Sequence, residues 1–193
     1  MNKILWGILA VVVVVILWVF GSYNSIVALD QSVKTKWADT EGQYQRRLDL
    51  IPNLVSTVKG AANFEQTTLA KVVEARAHAT QVVMDPNKLD AASLQKFQEA
   101  QGAVSSALGR LLAVSENYPQ LKATENFRDL QSQIEGTENR IAVARKDFND
   151  AVKSYNTRTT QIPGNIVAGM FGFGQKAYFT ADQEAAKAPA VTF

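Results

Sequence analysis

Arg46–Val58, RRLDLIPNLVSTV, decides how the helices of this chain are divided. Inside a helix, Pro52 removes one backbone hydrogen bond and presses on the carbonyl four residues back, at about 3 kcal/mol. If Asp49 instead caps a new helix, Pro52 falls in its first turn, where the amide has no partner in any case. No glycine loosens the connection, so one long kinked helix stays open as the alternative. We favour a turn, with helical segments near 22–49, 50–84, 90–116 and 120–161.

Outward from that stretch, apolar residues step by three or four, the period of a helix with one buried face. Ile26, Leu29, Val33, Trp37, Thr40, Tyr44 and Leu48 form one stripe. Leu54, Val58, Ala61, Glu65, Leu69, Val72, Arg76 and Ala79 form a weaker one, helped by Val55, Ala62, Val73 and Ala75. Leu94, Phe97, Val104, Leu108 and Leu111 make a third. The longest is Phe127, Leu130, Ile134, Thr137, Ile141, Ala144, Phe148, Ala151 and Tyr155. Near-heptad stripes of this kind pack at small crossing angles. Asp85-Pro86-Asn87 and Asn117-Tyr118-Pro119 carry turn chemistry and should join antiparallel neighbours.

The chain opens with MNKILWGILAVVVVVILWVFGSYN, in which Ile4–Phe20 is an uncharged apolar run. As a helix it spans about 26 Å, and Gly21 and Ser22 extend it toward the roughly 30 Å of a hydrocarbon core. A cleaved secretory signal would have a shorter apolar region and a small-x-small cleavage site, which VFGSYN is not. The run reads as a retained anchor. Lys3 lies before it and Lys34 and Lys36 beyond it, so the nearer charge favours an inside amino terminus and an exported domain.

These pieces give an all-α fold: an N-terminal single transmembrane helix followed by an antiparallel up-and-down four-helix bundle. Residues 1–21 are the anchor, 22–161 the bundle, and 162–193 an apolar Gly/Phe-rich C-terminal segment with a loose tail. An even number of alternating helices returns the chain to the end where it began.

The late stretch TQIPGNIVAGMFGFGQKAYF, Thr160–Phe179, would then arrive beside the membrane. Its glycines at 164, 169, 172 and 174 argue against a long helix. Met170, Phe171, Phe173, Tyr178 and Phe179 are poor residues to leave in water as one patch. Three sinks are open to them: the end of the bundle, the lipid headgroups or a second copy. Gly169-x-x-Gly172-x-Gly174 lacks the spacing of a phosphate loop.

Composition narrows the function. Twenty basic and 18 acidic side chains alternate along the chain, with no concentrated basic stripe for nucleic acid. The doublet Arg46-Arg47, with Asp49 close by, reads as a surface ion network. There is no cysteine, which removes thiol nucleophiles, thiolate zinc sites and lipoprotein anchoring. The single histidine, His78, follows Glu74 by one helical turn and reads as a surface residue. Glu135, Glu138, Asp147 and Asp150 interleave with Arg140, Arg145 and Lys146, as a solvated face does. No catalytic residue, cofactor or metal ligand is assigned.

Six residues are structural candidates: Asp49 as cap, Pro52, Arg76, Thr137, Glu138 and Arg145. Thr137 interrupts the strict stripe with a hydroxyl that must bond back to the helix or reach a neighbour. Arg76 and Glu138 would pair if their helices are adjacent. Candidate interface residues are Trp37 and Tyr44, with Met170, Phe171, Phe173, Tyr178 and Phe179.

The blocks SYNSIVALDQSVKTKWADTEGQYQRRLDLIPNLVSTVKGAANFE, VVEARAHA, ENFRDLQSQIEGTENRIAVARKDFNDAVKSYNT and IPGNIVAGMFGFGQKAYF together closely resemble the LemA family, over nearly the whole chain. Positions matching its pattern are Tyr23, Asn24, Trp37, Arg46, Arg47, Asp49, Pro52, Asn53, Arg76, Glu138, Asn139, Arg145, Tyr155, Asn156, Phe173 and Phe179. Phe148 stands where tyrosine is common, and Ile162 where phenylalanine often precedes the proline. The resemblance implies a single-pass protein of a bacterial inner membrane with a helical bundle and no established enzymatic activity. The expected partners are the lipid bilayer and either a second copy, as a homo-oligomer, or another membrane-associated protein.

Overall fold

The computed structural model describes residues 3–60 and 64–180. Ala61 and Ala62 of the second stripe lie outside them, as does the tail beyond Thr180. The described residues form six helices: α1 (Lys3–Lys59), α2 (Gln66–Gln81), α3 (Ala91–Ser115), α4 (Pro119–Lys122), α5 (Glu125–Thr160) and α6 (Gly164–Phe171). The fold is all-α, with a membrane-length helix that continues into a helical bundle.

The turn expected at Pro52 does not exist. α1 runs unbroken for 57 residues with Pro52 inside it, about 85 Å of helix. Asp49 therefore caps nothing; it is exposed and accepts a bond from Gln45 Nε2 at 2.8 Å. The expected segment 50–84 is divided instead, its first part ending α1 and its second forming α2. The late glycines do not prevent the two-turn helix α6, although Gly172 ends it at φ 74°. Gly164 is required at its start, because a β-carbon there would collide with the Arg158 carbonyl of α5.

The helices pair by their stripes. α5 runs antiparallel to α1, with Arg158 Nη2 donating to Ser22 Oγ at 2.9 Å and Thr40 Oγ1 donating to the Ala144 carbonyl at 3.2 Å. α3 lies alongside in the same direction as α1, its Phe97 ring meeting both Trp37 and Tyr44. α3 starts cleanly because Asp90 accepts the Ser93 amide at 2.9 Å. The expected turn at Asp85 is an Asx turn, in which Asp85 Oδ1 accepts the Asn87 amide.

Two apolar clusters fill the interior. One, distal to the anchor, centres on Leu48, Ile51, Leu54, Val104, Leu111 and Phe127. The other, proximal, holds Ile26, Val33, Trp37, Phe97, Phe148, Tyr155 and Phe179. The first eighteen residues of α1 bury almost nothing against the bundle.

Candidate functional site

Between the two clusters lies a polar layer built around Arg47. Tyr44 belongs to the proximal cluster and Leu48 to the distal one, so Arg47 points into the seam. It is 1% exposed. Its Nη1 donates to Glu138 Oε1 at 2.8 Å and Ser105 Oγ at 2.6 Å. Its Nη2 donates to the Gln101 carbonyl at 2.9 Å and to Gln101 Oε1 at 2.6 Å. One guanidinium thus ties α1, α3 and α5 together, and its bonds offset the cost of burying the charge. This corrects two expectations: Arg47 is no surface residue, and the partner of Glu138 is Arg47 rather than Arg76. Arg46 and Asp49 do stay on the surface.

Arg76 has another task. Its Nε donates to the Leu48 carbonyl at 2.9 Å. Thr137, fully buried, donates to the Gln133 carbonyl at 2.7 Å and accepts from Arg140 Nη2 at 3.0 Å.

The late segment binds the bundle by its backbone. After α6, residues 173–180 run along α5, away from the anchor. Asn156 clamps Lys176, accepting its amide at 2.9 Å and donating to its carbonyl at 2.8 Å. Asn149 clamps Phe179 in the same way, at 2.9 and 3.0 Å. The spacing explains why it works. Seven residues of helix and three of extended chain each advance about 10 Å. Each asparagine side chain thus stands in for a neighbouring strand.

Side chains complete the strap. Phe179 is buried against Trp37 and Phe148, with centroids at 6.0 and 5.3 Å. Arg145 lies over its ring and donates to the Thr180 carbonyl at 2.8 Å. Lys176 reaches Asp30 at 2.8 Å, and Lys34 reaches the same carboxylate at 3.0 Å. Burial pushes the Asp30 pKa up, but the two lysines outweigh it and hold the group below its usual value. Tyr155 donates to the Gly174 carbonyl at 3.0 Å. Burial, with the nearby charge of Asp30, pushes its phenol up to about 12.

The expected interface residues divide. Trp37, Tyr44 and Phe179 lie in the core and Phe173 is half-buried, so their apolar character is accounted for within this chain. Met170, Phe171 and Tyr178 are exposed, as are Ile162 and Ile166. Phe171 lies where the anchor leaves the bundle, its ring 4.8 Å from that of Tyr23, which also meets Phe173 at 5.6 Å. Tyr178 lies farther along the strap, next to Phe179 on Asn149.

Sequence reasoning missed Gln101, Ser105, Asn149 and the Asp30–Lys176 pair, and named Asn156 only as a family-pattern position without a role. One signal was available. Asn149 and Asn156 each follow a buried aromatic, Phe148 and Tyr155, at a heptad interval.

Three recesses mark the surface of the bundle. One of about 610 Å³ at the distal tip is lined by Thr57, Asn117, Tyr118, Gln120, Leu121 and Asn126, with no carboxylate or base among them. One of about 320 Å³ is open to solvent between Lys36, Gln43, Arg140, Val143 and Asp147. The third, about 380 Å³, is the strap's own surroundings, with Asp30, Lys34, Asp90 and Tyr155. Asp90 is held below its usual value by the Ser93 amide it caps. Glu74 and His78 are exposed on α2. Among the described residues, no group of three or more histidine, aspartate or glutamate side chains could hold a metal ion.

Residues 36–193 match the model of the LemA family. The chain is also 27% identical over 187 residues to Magnetosome protein MamQ 2 of Paramagnetospirillum magneticum, covering 88% of this chain and 68% of that protein. It is 25% identical to Magnetosome protein MamQ of Magnetospirillum gryphiswaldense over the same shares. Protein LemA of Metamycoplasma hominis is 22% identical over 163 residues, 84% of this chain and 71% of that protein.

Proposed function

Because this chain belongs to the LemA family, we propose that it is a non-enzymatic, membrane-anchored scaffold that presents a helical bundle for association with other proteins. Three parts divide the work: an anchor at 1–21, a four-helix up-and-down bundle at 22–161 and an apolar late segment at 162–193. The observation that carries the reading is the continuity of α1. Anchor and bundle share one helix of 57 residues, so no flexible linker separates them. A rigid stalk fixes which side of the bundle faces a neighbour, and confinement to a membrane raises the effective concentration of weak partners.

The side face around Val143 is the place to look. Val143 is exposed in the recess formed with Lys36, Gln43, Arg140 and Asp147. A photo-crosslinking residue at 143 of the full chain, in intact cells, should give discrete adducts. Two residues inserted after Val14 turn the bundle by about 200° and should remove or exchange them, whereas seven inserted residues nearly restore the face. Adducts indifferent to both insertions would refute an orientation-dependent scaffold. We place the bundle on the exported side of a bacterial inner membrane, because Lys3 is the nearer charge to the span. Protease digestion of the bundle in intact spheroplasts tests that; protection until lysis reverses it.

A second reading is a membrane-organising protein that self-assembles as a homo-oligomer and engages lipid through its apolar C-terminal segment. The exposed apolar side chains Met170 and Phe171 favour it. Crosslinking from residue 170 should then give dimers in the membrane that vanish when chains are diluted into excess lipid. Monomers at every dilution would exclude it.

A further inference from the structure

We propose that α6 and the turn before it form a second membrane contact: a short interfacial element that lays Ile162, Ile166 and Met170 into the headgroup region of the bilayer holding α1. The proposal rests on Ile4–Phe20 being the membrane span. α6 is two-faced. Gly164, Val167 and Ala168 are buried against the bundle, while Ile166 and Met170 are exposed on the other side. Phe171, in register with Val167, closes the buried face against Tyr23 and is partly exposed at the helix end. Ile162, one turn before Ile166, is 83% exposed and Met170 is 68% exposed.

Position selects lipid as the occupant. The Arg158–Ser22 bond sets the end of α5 level with the last turn of the apolar run. The contact of Phe171 with Tyr23 holds α6 at the same level. Phe20, one turn below Asn24, is itself exposed. The apolar face of α6 is therefore continuous with the surface of the anchor, and a single bilayer boundary meets both. Charge agrees. Neither residues 1–29 nor residues 151–181 contain an aspartate or glutamate, while Lys153 and Arg158 lie on the closing turns of α5. A layer with cations and no carboxylate is suited to phospholipid headgroups. Two contacts, one spanning and one interfacial, would fix the tilt of the bundle as well as its height.

The chain has no cysteine, so single-cysteine variants can carry an environment-sensitive fluorophore. The full chain is placed, one copy per nanodisc, in phospholipid with or without a shallow doxyl quencher. Labels at I166C and M170C should be quenched at least about twofold, and a label at V143C, about 26 Å or more along α5, should be unaffected. Replacing both partners, as I162D/I166D with the label at 170, should abolish the quenching while the circular dichroism stays helical. Equal behaviour at 143, 166 and 170 would overturn the proposal. So would shielding at 166 and 170 that appears only at two copies per disc, since the occupant is then a second chain. A label at V14C separates the premises: quenched there by a deep doxyl group but not at 166 or 170, the chain is anchored and α6 stands clear. No quenching at V14C refutes the span itself.

Discussion

Arg76 donates to the carbonyl that Pro52 leaves without an amide. In an uninterrupted helix the Leu48 carbonyl would accept from residue 52, which here is proline; instead Arg76 Nε, from α2, occupies it at 2.9 Å. The proline that would end a helix in isolation is thus accommodated by a tertiary bond. The polypeptide then continues for two further turns, carrying Leu54, Val55 and Val58 into the distal cluster.

R76A should therefore destabilise the detergent-solubilised full chain by about 1.5–3 kcal/mol, the range for a hydrogen bond from a charged group. In a P52A background the Leu48 carbonyl regains its helical amide, and the same substitution should cost at least about 1 kcal/mol less. Urea midpoints of the four proteins give the coupling. Additive effects would mean that Arg76 does not compensate for the proline.

This relationship marks the limit of what the sequence discloses. The stripes of α3 and α5 are legible because each pattern is local: Leu94 to Leu111 and Phe127 to Tyr155 supply core residues at a fixed period. Pro52 is misread because its compensation comes from a side chain 28 residues from the carbonyl it leaves free. Arg47 is misread for a related reason. It falls on the buried stripe, three residues after Tyr44 and four before Ile51, but its charge argues for solvent until Gln101 and Glu138 are known to converge on it. The strap is legible only as apolar chain in need of cover. Its groove depends on Asn149 and Asn156, whose heptad spacing is visible but does not disclose that their amides bond to the backbone of a distant segment.

The polar layer should respond asymmetrically to loss of either partner. E138A leaves the Arg47 guanidinium buried without its counter-charge. R47M leaves Glu138, whose side chain is 38% exposed, free to hydrate. Breaking a buried pair costs about 3–5 kcal/mol, and partial exposure here reduces that to about 2 kcal/mol. The urea midpoints should fall in the order wild type, R47M, E138A. The reverse order would show that the layer is held by Gln101 and Ser105 rather than by charge pairing.

Strap release can be followed at two amides. The Lys176 and Phe179 amides donate to the side chains of Asn156 and Asn149. N149A/N156A should accelerate hydrogen exchange at both positions by at least about tenfold, with the α3 and α5 amides unchanged, because opening is local. F179A, which empties the space between Trp37 and Phe148, should release the strap and lower global stability by about 3 kcal/mol or more. Unchanged exchange in the double asparagine variant would mean that Phe179 alone holds the segment.

Tyr155 gives the fold an alkaline limit. Its phenol, buried and near Asp30, is raised from 10.0 to about 12 in the folded chain. Between those values the unfolded phenol is ionised while the folded one keeps its proton, so stability must fall as pH rises through that window. Below pH 10 the group contributes no slope. In Y155F the bond to the Gly174 carbonyl is lost, so this variant should start less stable at pH 9. It should then lose less between pH 10 and 12 than the wild type, and the two urea midpoints should converge. An absorbance titration should show one fewer phenol in the high-pH step. Parallel midpoint curves would place the ionisation of Tyr155 outside this range and remove the buried phenol from the account of alkaline unfolding.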